Sequence, residues 1–145
     1  MAKSTFVYVT YIRTTPEKLW SALTDVEFIK QYWFGMRCES QWTPGSPWRL
    51  LFEDGRVADS GEILEADPPR RLVIKWRNEF KPELHAEGYG RCVFEIEPAG
   101  EVVKLIITHS NDHENSKYVT AVSNGWPRII SNLKSLLETE KVILK

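Results

Sequence analysis

The last quarter of the chain sets what the rest must build. Val119, Val122, Trp126, Ile129, Ile130, Leu133, Leu136 and Leu137 recur at intervals of three and four. That spacing predicts one long amphipathic helix with an apolar stripe along about five turns. Gly125 and Pro127 interrupt the stripe, and a proline without its backbone donor predicts a kink or a late helix start there. Such a helix needs an apolar surface to lie on, and residues 36–110 alternate at period two. Met36, Cys38 and Trp42 alternate with Arg37, Glu39 and Gln41, and Trp48, Leu50 and Phe52 share one side of the next run. Leu72, Ile74 and Trp76 alternate with Val73, Lys75 and Arg77, then Cys92, Phe94 and Ile96 with Arg91, Val93 and Glu95. An antiparallel sheet with one apolar and one charged face reads this way. The terminal helix is the element long enough to cover the apolar face.

The segment before residue 36 holds a strand and two short helices. Residues 5–13, "TFVYVTYIR", are β-branched and aromatic, as strands are. Thr15 as cap, Pro16 in the first turn and Glu17 behind it start a helix, with Leu19, Trp20 and Leu23 on one face. Thr24 with Glu27 reads as a capping box for a second helix carrying Val26, Phe28, Ile29 and Tyr32, which Gly35 ends. Turn signals at "TPGSP", "EDGR", "DPPR" and "PAGE" separate the later strands, and "NEFKPELHAEG" is a polar connection. The result is an α+β fold in one domain over residues 1–145: a strand, two short helices, about six more strands and a long helix. A sheet curled around a single helix leaves a gap, and that gap, roofed by the short helices, is an apolar cavity.

Charge and motifs exclude several classes. Lys+Arg (19) and Asp+Glu (20) nearly cancel, so no basic field is available to collect nucleic-acid phosphates. No apolar run reaches the length of a membrane span and the first residues lack a signal-peptide pattern, so no membrane insertion and a cytoplasmic location are expected. Cys38 and Cys92 are then expected to be reduced, buried thiols. His109 and His113 in "HSNDHE" have a spacing that brings imidazoles together on a helix, but the segment reads as a strand end, so no metal is expected. Phosphate loops, dinucleotide fingerprints and nucleophile elbows are absent, and no cofactor is expected. Glu95 and Glu97, and Arg70 and Arg71 in the "DPPRR" bend, read as solvated surface.

Three segments carry a family resemblance that spans nearly the whole chain. "TPEKLWSALTDVEFIKQYW", "GEILEADPPRRLVIKW" and "GWPRIISNLKSLLE" stand in an order and spacing that resemble the helix-grip fold of the START and birch-pollen-allergen (SRPBCC) superfamily. Within it they are similar to the branch of activator of heat-shock-protein-90 ATPase homologues. The resemblance implies a curved antiparallel sheet of about six to seven strands wrapped around the C-terminal helix, with a pocket between them. The positions that would face this pocket are Trp33, Phe34, Met36, Trp48, Leu50, Phe52, Ile74, Trp76, Phe94, Ile107, His109, Trp126 and Ile130. Periodicity alone reads the same residues as solid core, but six tryptophans in one small domain suit an aromatic-lined cavity.

The leading function is therefore binding of a small apolar molecule, aromatic or lipid-like. Two other readings stand beside it. A co-chaperone that stimulates an ATPase follows from the branch's name, although the chain carries only the one resembling domain. A cyclase or dehydratase acting on a polyketide-like substrate would need a polar cluster in the cavity, for which His109, Tyr11 and Ser60 are the available groups.

Overall fold

A computed structural model describes residues 2–145. In chain order the elements are β1 (Ser4–Ile12), α1 (Pro16–Thr24), α2 (Val26–Tyr32), β2 (Arg37–Ser40), β3 (Pro47–Leu51), β4 (Val57–Asp67), β5 (Arg71–Asn78), α3 (Pro82–His85), β6 (Gly90–Ala99), β7 (Val102–Asn111) and α4 (Lys117–Thr139). The strands form one antiparallel sheet in the order β1-β7-β6-β5-β4-β3-β2. Consecutive strands from β2 to β7 are joined as hairpins or short connections. β1 then closes the far edge by pairing with β7, so the two short helices carry the chain from one sheet edge to the other.

The alternation seen in the sequence sorts most side chains as expected, but Val73, on the opposite face of β5, is fully buried as well. Leu72, Ile74, Trp76, Cys92, Phe94, Ile96, Leu105 and Ile107 are all buried, and with Leu19, Leu23, Ile29 and Tyr32 of the short helices and Trp126, Ile130 and Leu133 of α4 they make one core. Two glycines let this core form. Trp76 is paired across β5 with Gly61 of β4 on one side and Gly90 of β6 on the other. A Cβ on Gly61 would stand 1.6 Å from the Lys75 carbonyl oxygen, and one on Gly90 would stand 2.8 Å from the Tyr118 ring. The strand glycines thus clear room for close backbone approach and for the Tyr118 ring.

Local details differ from the sequence reading in four places. The cap of α2 is Asp25, whose carboxylate accepts from the Glu27 N–H at 2.8 Å, while the Thr24 hydroxyl bonds back to the Trp20 carbonyl inside α1. Trp42 falls beyond β2, at φ 59°, rather than on the strand. The polar connection after β5 contains the one-turn helix α3, with Leu84 buried beneath it. Finally, α4 runs unbroken through Pro127, starting at Lys117. Strong anchors hold that early start. Glu87, in the loop after α3, accepts from the Lys117 N–H at 2.9 Å and from the Ser116 hydroxyl, and the Ser116 oxygen in turn accepts from the Val119 N–H. Hydrogen bonds at the first turn outweigh the single donor that Pro127 removes.

Candidate functional site

Between α4 and the concave face of the sheet lies a cavity of about 250 Å³. Its floor is strand residues Leu50, Ala58, Asp59, Trp76 and Asn78, with Phe52 just past the end of β3. Trp33 and Met36 close one end, and Phe80, Lys81 and Leu84 the other. The helix contributes Tyr118, Ala121, Val122, Gly125, Trp126 and Ile129. Phe80 and Lys81 are exposed, so the cavity reaches the surface beside α3. Aromatic rings form a connected wall: Trp33 stacks on Trp76 with centroids 6.1 Å apart and meets Trp126 edge-on at 5.3 Å. Phe52 and Phe80 meet edge-on at 5.1 Å near the mouth.

The residues expected from the sequence divide by depth. Trp33, Met36, Leu50, Phe52, Trp76 and Trp126 line this cavity. Trp48, Ile74, Phe94 and Ile130 lie behind the tryptophans around a separate void of about 10 Å³, large enough for a single water at most. Ile107 is fully buried and faces neither space. Phe34 is turned outward at φ 52°, 39% exposed, with the Arg128 guanidinium 5.3 Å over its ring. It ends α2 together with Gly35 at φ 78°, an arrangement in which two successive left-handed residues reverse the chain and swing Phe34 away from the cavity.

His109 does not line the cavity, and its environment explains why. Trp126 Nε1–H donates to its Nδ1 at 3.0 Å, which places the imidazole proton on Nε2, and Nε2–H donates to the Tyr118 hydroxyl. That hydroxyl is directed in turn at the Trp76 carbonyl, 3.5 Å away. Burial without any carboxylate nearby lowers the His109 pKa to about 3, so it stays neutral at any ordinary pH. Both nitrogens are committed, and the ring serves to fix Trp126 and Tyr118, which do line the cavity. The other members of the cyclase-type cluster lie elsewhere. Tyr11 is 51% exposed on edge strand β1, and the Ser60 hydroxyl donates to Glu79 at 2.8 Å, where Arg77 also binds. These three groups share no site.

The polar groups that do reach the cavity were missed by the sequence reading. Asp59 is 9% exposed and belongs to its lining. Burial raises its carboxyl pKa to about 7; the Trp76 indole lowers it in part, and repulsion from Glu79 adds to the rise. Yet the indole N–H of Trp76 is buried with no hydrogen-bond partner among the described residues. Asn78 stands opposite Asp59 in the β4–β5 ladder, its side-chain oxygen accepting from the Phe80 and Lys81 N–H groups at 3.2 and 2.9 Å. A signal for Asp59 existed in "VADSGEIL". Strand parity puts it on the side of Gly61 and Ile63, where a carboxylate is out of place. Cys38 and Cys92 are buried and unpaired, and burial raises both thiols, Cys38 to about 12, so neither is a nucleophile.

Fold and site can now be set against known proteins. The family model described as Activator of Hsp90 ATPase homolog 1-like protein matches residues 13–138. The chain belongs to this family. No curated protein matches it. Among solved structures, this chain resembles protein MLL2253 of Mesorhizobium loti, with a TM-score of 0.81 and 22% identity over 96% of this chain and 100% of that one. It is also similar to PFC0360w, an HSP90 activator from Plasmodium falciparum, with a TM-score of 0.76 and 24% identity over 92% and 96% of the two chains. DynU16, from the dynemicin biosynthetic locus, superposes with a TM-score of 0.77 at 20% identity, over 95% of this chain and 48% of that one. At these identities the neighbours establish the helix-grip fold, in which one sheet holds one long helix. Among the described residues no helix is long and apolar enough to cross a membrane.

Proposed function

We propose that this protein binds a compact, ring-containing apolar molecule in the cavity between α4 and the sheet. The observation that carries the reading is a solvent-reaching space of about 250 Å³ walled by Trp33, Trp76, Trp126 and Phe52. Flat aromatic walls suit flat ligands, and burial of apolar surface at about 25 cal/mol per Å² supplies the affinity. The volume lies just below the range of about 300–1,000 Å³ usual for drug-sized ligands, which favours one or two fused rings over a long acyl chain. The occurrence of a fold neighbour in a biosynthetic locus supports a small-molecule role without naming the molecule.

The test is a panel of naphthalene, indole, decanoate and palmitate, read by calorimetry and by the shift in melting temperature. The ring compounds are expected to bind and raise the melting point, and the fatty acids to do neither. An unchanged signal across the panel would end the proposal. Chaperone stimulation is the second reading, favoured by the family's description and by the HSP90 activator among the fold neighbours. Capture of the chaperone by the intact protein, undiminished by a cavity-filling substitution, would support it over ligand binding.

A further inference from the structure

The cavity is not uniformly apolar, and its polar groups stand together. Asp59 and Trp76 lie on adjacent strands β4 and β5, and both line the space. The Trp76 N–H acts on the Asp59 carboxyl without completing a hydrogen bond to it or to anything else. Asn78 has its oxygen committed to two backbone N–H groups, which leaves its amino group for the cavity. A buried indole N–H with no partner is uncommon, because leaving it unmade costs about 1–3 kcal/mol. Among the described residues the charge that acts on Asp59 is Glu79, of its own sign and itself paired with Arg77 at 2.6 Å. Among them, too, the Trp76 N–H has no hydrogen-bond acceptor.

We propose that this end of the cavity holds the hydroxyl group of a ring-containing ligand. Asp59 accepts the hydroxyl's hydrogen bond, and the Trp76 N–H and the Asn78 amino group donate to its oxygen. The inference rests on the cavity-binding reading and narrows it to hydroxylated aromatics. The set of groups discriminates among headgroups. An aromatic amine could donate to Asp59, but its lone pair is delocalised into the ring and accepts only weakly from Trp76 and Asn78. A carboxylate would accept from both but has no hydrogen to give Asp59, and its charge would oppose that of Asp59 once Asp59 is ionised. A hydroxyl both donates and accepts, so it satisfies all of them.

The experiment compares 2-naphthol, naphthalene, 2-naphthylamine and 2-naphthoate by calorimetry on the whole protein. A charge-assisted hydrogen bond in a dry site predicts that 2-naphthol binds about tenfold tighter than naphthalene. Asp59→Leu should erase that advantage and leave the naphthalene affinity in place. If Asp59→Leu does not fold, by circular dichroism, the nearly isosteric Asp59→Asn should reduce the advantage about threefold. Equal affinity for naphthol and naphthalene overturns the headgroup inference and leaves the cavity standing. So does tighter binding of the amine or the acid, or an advantage that survives Asp59→Leu. Failure of all four to bind removes the cavity reading and this one together.

Discussion

Asp59 shows how a single side chain can oppose the fold that holds it. Its folded pKa of about 7 lies above the ordinary 3.8, so between those values the folded protein holds a proton that the unfolded chain has released. Stability therefore declines as pH rises through that window, and the cost is complete above it. Glu79 and the phenol of Tyr118 face the same carboxyl, Lys81 stands at the mouth, and none neutralises it. Asp59→Asn removes the charge and should stabilise the protein at about pH 8 by on the order of 4 kcal/mol, with the gain shrinking toward zero near pH 4. His109 works in the opposite sense. Its pKa is lowered to about 3, so stability falls with acidification below about 6.5, the ordinary histidine value, equally in both proteins. Urea unfolding of the two across this range measures the difference. A gap that is the same at every pH would mean that the carboxyl is not held neutral by burial.

At the scale of elements, the sheet depends on what its strands leave out. Trp76 faces Gly61 and Gly90 in the ladder, and these glycines let β4 close onto the Lys75 backbone and leave room for the Tyr118 ring against β6. Gly61→Ala places a methyl group against the Lys75 carbonyl, a backbone atom that cannot swing aside, and should cost about 3 kcal/mol. An unfolding midpoint within error of the parent would show that β4 and β5 can separate without loss. Much of this layer was legible in the chain. Period-two alternation placed Leu72, Ile74 and Trp76 inward because a strand's side chains have no other choice of face. Asp59 was overlooked because a charge within "VADSGE" reads as surface unless its parity is tracked. α3 escaped because one turn is too short to show a helical period. His109 was placed inward correctly, but its two hydrogen bonds come from α4, and no local pattern encodes a partner on another element.

The whole molecule is one sheet holding one helix, and its cavity is a difference in volume between the two layers. Alternation gives each residue a side but not the depth to which it fills, so tryptophans of the core and of the wall look alike in sequence. The depth is set instead by small residues on α4. Ala121 and Gly125 face the cavity, with Trp126 and Ile129 beside them, and a Cβ on Gly125 would meet only the end of the Ile129 side chain at 3.9 Å. A glycine inside a long helix costs about 0.5–1 kcal/mol relative to alanine, and nothing in the packing requires it here. That cost is understandable if the open space is used. Gly125→Ala should therefore stabilise the fold by about 0.5–1 kcal/mol. Gly125→Leu should project its side chain into the cavity, keep the melting temperature within a few degrees of the parent, and abolish binding of naphthalene and 2-naphthol alike. Thermal unfolding and calorimetry on the same samples decide it. If Gly125→Leu is folded and still binds both probes at parental affinity, the site lies elsewhere in the molecule.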